Sequence, residues 1–289
     1  MMILDLQQVM LATILVDKNK AIQGGKVDRD FVRHMILNSI RYNRLKFSDY
    51  GELVIACDSR DSWRREMFPF YKASRKKNRE TSTFDWADIF DFLASIRSDL
   101  KEHFPYRTIE VNGAEADDII ATVVKKECEE SMHKVLILSG DKDFIQLQTF
   151  INVSQWDPTR KRWIKHPNPE YFLKEHIIKG DISDGVPNML SGDSTFVSKG
   201  RQKPIRADKL ERWCRLEIGS PELRKELGET IWRNWCRNNQ MINLDNIPKN
   251  IVTSIFEEYE KQGGKGKKKI LPYLMDKNLR EIAKSINEF

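Results

Sequence analysis

Cysteine is scarce in this chain, long apolar runs are missing, and each absence removes a class of function. Only four cysteines occur in 289 residues, Cys57, Cys128, Cys214 and Cys236, with no CxxC pair and no histidines at zinc-finger spacing. That argues against a disulfide framework or a structural zinc centre and fits idle thiols in a reducing compartment. No stretch approaches the ~20 apolar residues of a membrane span, so no membrane association is expected. The opening MMILDLQQ is interrupted by Asp5 and has no basic lead-in, unlike a secretory signal. A cytoplasmic, monomeric protein is expected. No Walker-type glycine loop is present, which argues against a small-molecule kinase or phosphatase.

What the chain does have is charge of both signs, unevenly placed. A formal net charge of +6 favours a polyanionic partner. Seven aspartates and one glutamate nevertheless sit where apolar runs end or begin: Asp5, Asp58, Glu115, Asp117, Asp141, Asp143, Asp181 and Asp184. MMIL leads into Asp5, ELVIAC into Asp58 and KVLILSG into Asp141, while Glu115-Ala116-Asp117-Asp118 opens the run IIATVV. Buried strands that deliver carboxylates to one edge of a sheet build a divalent-metal site in an α/β protein. Bare carboxylates sharing such a site would repel and raise one another's pKa. Hard oxygen ligands select Mg²⁺, with Mn²⁺ as substitute, over zinc. The chemistry implied is phosphoryl transfer assisted by two ions.

Apolar spacing predicts strands at residues 2–4, 53–57, 108–111, 134–138 and 153–156. It predicts helices over 28–46 (Phe31, Val32, Met35, Ile36, Ser39, Ile40), 83–100 (Phe84, Ile89, Phe90, Leu93, Ile96) and 115–129. Strands alternating with helices over the first ~175 residues predict an α/β fold, a mostly parallel central sheet with helices on both faces. Beyond Asp181 the strand signal fades into helices joined by polar turns. The expected division is therefore an α/β domain at 1–180, which carries the acids, and a smaller all-helical domain at 181–289.

The acids fall into clusters with geometric meaning. Asp141 and Asp143, two apart, point the same way from an extended segment. Glu115, Asp117 and Asp118 start a helix, where the positive end of the dipole favours carboxylates even without metal. Asp118 could ligate metal, accept a hydrogen bond behind the ligands or cap the helix, and the last two are favoured. Asp181 and Asp184 share one face of a turn after Gly180.

Residues 61–82 form a second signal. Arg64, Arg65, Lys72, Arg75, Lys76, Lys77 and Arg79 are interleaved with Trp63, Phe68, Phe70 and Tyr71, the composition of a surface that stacks bases and neutralises phosphates. The alternative is a solvated basic loop whose aromatics tuck into the core. Because the segment leaves directly after Asp58, it is expected to lie over the metals. Its cations have no evident acidic neighbours in sequence, so disorder without nucleic acid is expected. The run at 261–269 reads either as a solvated linker or as a phosphate-contacting loop.

Four stretches carry a specific resemblance: Arg64-x-x-x-x-Pro69-x-Tyr71-Lys72-Ala73-x-Arg75, Glu115-Ala116-Asp117-Asp118-x-Ile120-Ala121, Ser139-Gly140-Asp141-x-Asp143-Phe144-x-Gln146-Leu147 and Gly180-Asp181-x-Ser183-Asp184-Gly185-Val186-Pro187. In order, they resemble the helical-arch and acidic motifs of the 5′-nuclease and flap endonuclease family, including the nuclease domain fused to bacterial DNA polymerase I. The resemblance runs from Asp5 to Pro187. The MILNSI helix, the Trp156 segment and the terminal Ser-Ile-Asn-Glu-Phe are similar to the T-even bacteriophage ribonuclease H branch. Two departures stand out: Asp5 is followed by Leu6, not glycine, and residues 189–206 lack the glycine-rich hairpin with which the family grips duplex DNA.

The resemblance implies a Mg²⁺-dependent 5′→3′ exonuclease and flap endonuclease that acts on RNA–DNA hybrids and on flapped or nicked duplex DNA. Its implied task is removal of RNA primers during lagging-strand replication. Asp5, Asp58, Asp117 and Asp141, supported by Glu115, are expected around a first ion, and Asp143, Asp181 and Asp184 around a second. Asp117, Lys72 and Arg75 are the expected catalytic groups. Expected nucleic-acid contacts are Arg64, Tyr71, Lys72, Arg75, Lys76, Lys77 and Arg79, then Lys199, Arg201, Lys203, Arg206, Lys267, Lys268 and Lys269. Partners implied by the family are a single-strand-binding protein and a sliding clamp, with the helical region and residues 285–289 as the expected docking elements. The competing readings are a PIN-type ribonuclease and a non-catalytic branched-DNA-binding module.

Overall fold

A computed structural model describes residues 1–16 and 18–289, with the side chains of residues 76–78 outside the description. Strand β1 (Met2–Asp5) runs without a break into helix α1 (Leu6–Val16), followed by α2 (Lys18–Ala21) and a small hairpin, β2 (Ile22–Gln23) and β3 (Lys26–Val27). Helix α3 (Arg29–Lys46) starts at Asp28, whose carboxylate accepts the Phe31 amide. Next come β4 (Leu53–Ala56), the short helices α4 (Trp63–Met67) and α5 (Ala73–Glu80), and α6 (Trp86–His103), capped by Asp85. Strand β5 (Arg107–Ile109), α7 (Ala116–Glu130), β6 (Val135–Leu138), β7 (Val153–Asp157), β8 (Arg162–Ile164) and α8 (Pro169–Lys179) complete the α/β part. The remainder is helical: α9 (Ala207–Arg215), α10 (Pro221–Ile242, broken at Gly228), α11 (Lys249–Lys261), α12 (Ile270–Asp276) and α13 (Arg280–Ala283).

The main sheet has the order β5-β4-β1-β6-β7-β8, parallel except for β8, which is antiparallel to β7. The chain moves outward from β1 to one side through β4 and β5, then returns to its other side with β6. The carboxyl ends of β1, β4 and β6 therefore lie together at the point where the winding reverses, the place where doubly wound sheets build sites. Every residue of these three strands is buried, because helices cover both faces.

Alternation along the strands separates two cores. Ile3, Val54, Ala56, Ile109 and Ile137 face α7 to α11. Met2, Leu4, Leu53, Ile55, Leu136 and Leu138 face α1, α3, α6 and α12. The helices beyond residue 181 thus divide between both faces of the sheet, and no separate core marks the expected boundary there. The terminal residue closes the second core: Phe289 is fully buried, its ring 5.3 Å from that of Phe104. Of residues 285–289, expected as a docking element, Phe289 is thus taken up by the core, while Asn287 stays exposed.

The periodicity-based elements agree at β1, α3, β4, α6, α7, β6 and β7. Met35 and Phe90, read as core, are 40% and 38% exposed. Helix α1 was missed because LQQVMLATILV is apolar nearly all round, so no amphipathic contrast marks it. Among the described residues no helix is long and apolar enough to cross a membrane.

Candidate active site

Each acid arrives from the end of an element. Asp5 ends β1, Asp58 lies two residues past β4, Glu115 and Asp117 flank the start of α7, and Asp141 and Asp143 follow β6. Asp181 and Asp184 come from the turn after α8. Gly180 makes that turn possible. Its φ is +68°, and a Cβ there would lie 2.3 Å from the Val186 carbonyl oxygen, a clash no rotamer relieves.

The acids are held by short local bonds. Asp5 accepts the Gln8 amide at 3.0 Å and the Ser139 hydroxyl at 3.0 Å, and the same hydroxyl accepts the Asp141 amide at 3.1 Å. Asp58 accepts the Ala116 amide at 2.7 Å, tying β4 to the start of α7. Burial, with Asp58 and Asp141 close by, pushes the Asp5 carboxyl up to about 7. Burial and Asp141 likewise push Asp143 up to about 7 and hold Asp117 well above the usual carboxylate range. Asp58 and Asp141 are raised too, chiefly by burial. So many carboxyls displaced toward neutrality form an all-oxygen donor set short of positive charge, which fits hard divalent ions. Asp5, Asp58, Asp117 and Asp141, expected around one ion, lie at this edge, although among the described residues no three of them bring donor atoms within 4.8 Å of one another.

Asp143, His176 and Asp181 form a second group, with one donor atom from each lying within 4.8 Å of the others. His176, in the last turn of α8, was not expected. Only five histidines occur in the chain, and one lying four residues before Gly180 was the available signal. Asp184 was expected in this group, but its carboxylate is drawn elsewhere: it accepts Tyr71 Oη at 2.9 Å and Arg75 Nη2 at 2.6 Å. Its charge still acts on Asp141 and Asp143.

Part of the basic-aromatic segment, expected as an arch disordered without nucleic acid, is docked on the acids. Its first cation, Arg64, is buried; Nη2 lies 2.9 Å from Asp118 Oδ1, Nη1 lies 3.3 Å from Glu115 Oε2, and Nε bonds the Met241 carbonyl at 3.0 Å. Asp118 also accepts Trp63 Nε1 at 3.1 Å and the Glu115 amide at 2.9 Å, a set of partners that engages it within the fold. Tyr71 Oη donates toward Glu115 Oε2 at 2.7 Å as well as Asp184, and its ring is buried. Lys72 Nζ lies 2.8 Å from Glu115 Oε1.

These contacts correct three expectations. Arg64, Lys72 and Arg75 do have acidic partners, supplied by α7 and the turn after α8, which are remote in sequence. Arg64 faces the interior, not nucleic acid. Trp63, Phe68 and Tyr71 tuck into the core and offer no stacking surface. Burial works to raise Glu115, but Lys72 and Arg64 outweigh it and hold its carboxyl below the ordinary value. Gly185 lets this segment dock: its φ is +75°, a Cβ would lie 3.0 Å from the Phe70 carbonyl, and the Lys72 amide bonds the Asp184 carbonyl at 2.7 Å. Arg75 remains about half exposed, and Arg79 lies over the Phe90 ring. The side chains of Lys76 and Lys77 lie outside those described.

The distal basic residues divide. Lys199, Arg201, Lys203 and Arg206 are exposed, and Lys203 lines an open cleft of about 940 Å³ with Asp141, Asp143, His176 and Asp181. Lys265, by contrast, bonds the carbonyls of Lys101 and Tyr106, just before β5 begins, and Lys267 bonds that of Asn287. Lys267, Lys268 and Lys269, expected to contact the duplex, therefore lie at the amino edge of the sheet, opposite the acids.

An acid-lined site at the carboxyl edge of a wound parallel sheet, capped by a basic segment, defines a nuclease of the resolvase-like α/β class. Residues 28–176 match the family described as 5′-3′ exonuclease, N-terminal resolvase-like domain, and residues 168–289 match the family described as T4 RNase H, C terminal. The chain belongs to the 5′-3′ exonuclease family, in its T4 ribonuclease H branch. It is 34% identical to the "Ribonuclease H" of Enterobacteria phage T4, over 99% of this chain and 95% of that protein. A "Flap endonuclease Xni" from Shewanella is 31% identical over 44% of this chain and 48% of its own length. The fold is shared with the bacteriophage T5 flap endonuclease crystallised with DNA and metal ions, at a TM-score of 0.65 and 18% identity over 90% of this chain and 98% of that one.

Proposed function

We propose that this nuclease is a Mg²⁺-dependent 5′→3′ exonuclease and flap endonuclease that hydrolyses RNA–DNA hybrids and flapped or nicked duplex DNA, removing RNA primers during lagging-strand replication. The observation that carries the reading is the docking of Lys72 and Arg75 on Glu115 and Asp184: the segment that would meet a 5′ end lies beside the carboxylates that would hold the ions. A PIN-type ribonuclease needs no such segment. A non-catalytic module would not keep all eight acids.

When bound, Mg²⁺ or Mn²⁺ at the two acid groups supplies an activated water and positive charge for the scissile phosphate. The protein's own contribution is placement. Asp5 is oriented by Gln8 and Ser139, and Asp58 by the Ala116 amide, so the first group keeps its geometry before substrate arrives. Lys72 and Arg75 would exchange Glu115 and Asp184 for the phosphate oxygens on which charge develops, adding stabilisation where the transition state needs it. Lys203, at the far wall of the cleft, would hold the backbone beyond the cut, without reading bases. A sliding clamp and a single-strand-binding protein are the proposed partners, with the helical region after Asp181 and the exposed part of residues 285–289 as the places to dock.

The test is incubation with a 5′-flapped duplex and an RNA–DNA duplex, in Mg²⁺ or in EDTA, with products mapped on a gel. Release of short products from the 5′ end in Mg²⁺ alone is expected. Cleavage that persists in EDTA, or that starts at internal positions of single-stranded RNA, would overturn the proposal.

A further inference from the structure

Histidine is unusual company for this site. The acids that surround it offer only oxygen, yet the imidazole of His176 is set between two of them, Nδ1 3.3 Å from Asp143 Oδ1 and Nε2 3.5 Å from Asp181 Oδ2. The ring is mostly enclosed, with 15% of the side chain exposed, and Nδ1 has no hydrogen-bond partner among the described residues.

Three separate elements fix this placement. Helix α8 ends at Gly180, whose amide bonds the His176 carbonyl at 2.8 Å and so holds the last turn against the following loop. Asp181 is pinned by the Ser183 amide and hydroxyl, both at 2.7 Å. The Asp143 amide is bonded to Asp141 at 3.0 Å. The ring therefore does not sample the cleft freely; it faces the two carboxylates from a fixed helical turn.

We infer that His176 supplies a nitrogen ligand to the second cation position, together with Asp143 and Asp181, and thereby sets which divalent ion that position prefers. This rests on the proposed two-ion site and deepens it. One donor atom from each residue already lies within 4.8 Å of the others, and because two donors bound to one ion at about 2.1 Å stand at most about 4.2 Å apart, a closure of roughly an ångström would bring all three onto one ion. Magnesium favours oxygen and gains little from an imidazole, whereas first-row transition ions gain from a nitrogen donor. The second position is then a mixed nitrogen–oxygen site selective for Mn²⁺ over Mg²⁺, while the all-oxygen first position discriminates weakly between them.

Pulsed electron paramagnetic resonance of Mn²⁺ bound to the full-length protein, combined with calorimetric titration of Mn²⁺ and of Mg²⁺, tests this without reference to activity. A nitrogen modulation in the spectrum is expected, and it is lost in His176→Gln and in His176→Asn. In both variants the ratio of Mn²⁺ to Mg²⁺ affinity at the second position should fall about tenfold, the scale on which a single donor change alters affinity, with circular dichroism checking that they fold. Mn²⁺ binding that shows no nitrogen modulation, or an affinity ratio unchanged in both variants, would overturn the inference and leave His176 as a group that only orients carboxylates. Asp143→Asn separates the underlying reading: if it changes neither stoichiometry nor affinity, no cation is held at this group and the two-ion proposal itself fails.

Discussion

The ammonium of Lys72 lies 2.8 Å from Glu115 Oε1, and the lysine reaches it with its backbone in the left-handed region, at φ +53°. A non-glycine residue adopts that conformation at an energetic cost, sustained where the surroundings hold it. Here the Lys72 amide is bonded to Asp184 and the side chain is largely enclosed. Lys72 thus stands as an internal cation among acids that would otherwise repel one another.

Replacement of Lys72 by alanine is expected to lower the single-turnover cleavage rate by about 10²–10³-fold, the scale lost when one preorganised donor to a developing anion is removed. Duplex affinity should change far less. Rapid-quench kinetics beside a binding titration separates the two, and a loss confined to affinity would reduce Lys72 to an electrostatic tether.

Asp117 is half-buried and crowded by Asp141, Glu115 and Asp5, with Lys72 the cation that favours its ionised form. Asp117→Asn should reduce turnover by on the order of 10⁴-fold, as for removal of one member of a cooperating catalytic unit. DNA binding should persist or strengthen, since a charge facing the phosphate is gone. Near-normal turnover would remove Asp117 from the site.

Stability should depend on pH in a metal-linked way. The carboxyls of Asp5 and Asp143 rise on folding from 3.8 to about 7, so the folded protein binds more protons than the unfolded chain across that window. Their contribution is fully present below the unfolded value and is lost as pH climbs through the folded one. In EDTA the melting temperature should therefore fall between about pH 4 and pH 7 through these groups, and Mg²⁺ should raise it much more at about pH 7.5 than at about pH 5. Scanning calorimetry at several pH values decides the matter; a Mg²⁺ effect independent of pH would contradict the assignment.

Phe289 is 0% exposed and packs edge-on to Phe104. Phe289→Ala should destabilise the fold by about 3–5 kcal/mol, as for other buried phenylalanines, measured by urea unfolding. A tail that served only a partner would leave the unfolding curve unmoved.

Neutralising Lys267, Lys268 and Lys269 together should leave the salt dependence of duplex binding unchanged, because they sit at the amino edge of the sheet. Neutralising Arg201 and Lys203 should reduce the magnitude of the slope by roughly one unit for each phosphate that the protein no longer neutralises. Fluorescence anisotropy at several salt concentrations compares them, and the opposite ranking would move the duplex path to the far edge.

The identities and order of the eight acids, and the apolar runs that carry them, were legible from residue order alone. Strand and helix periods are local, and an aspartate at the end of a buried run has few other uses. The family and the parallel sheet followed from that. Placement across sequence distance was not legible. Arg64 and Asp118 lie 54 residues apart and Tyr71 and Asp184 lie 113 apart, and nothing in a one-dimensional pattern shows that such groups meet. The basic segment therefore read as an unpaired arch, although Glu115, Asp118 and Asp184, which hold its cations, stood in motifs already recognised. His176 was hidden for the same reason, since a single imidazole on a helix has no period and acquires meaning only when Gly180 folds Asp181 back beneath it. Residue order set which charges exist. Only packing decided which of them meet, because an ion pair in a closed interior depends on the path of the backbone and not on the spacing of the letters.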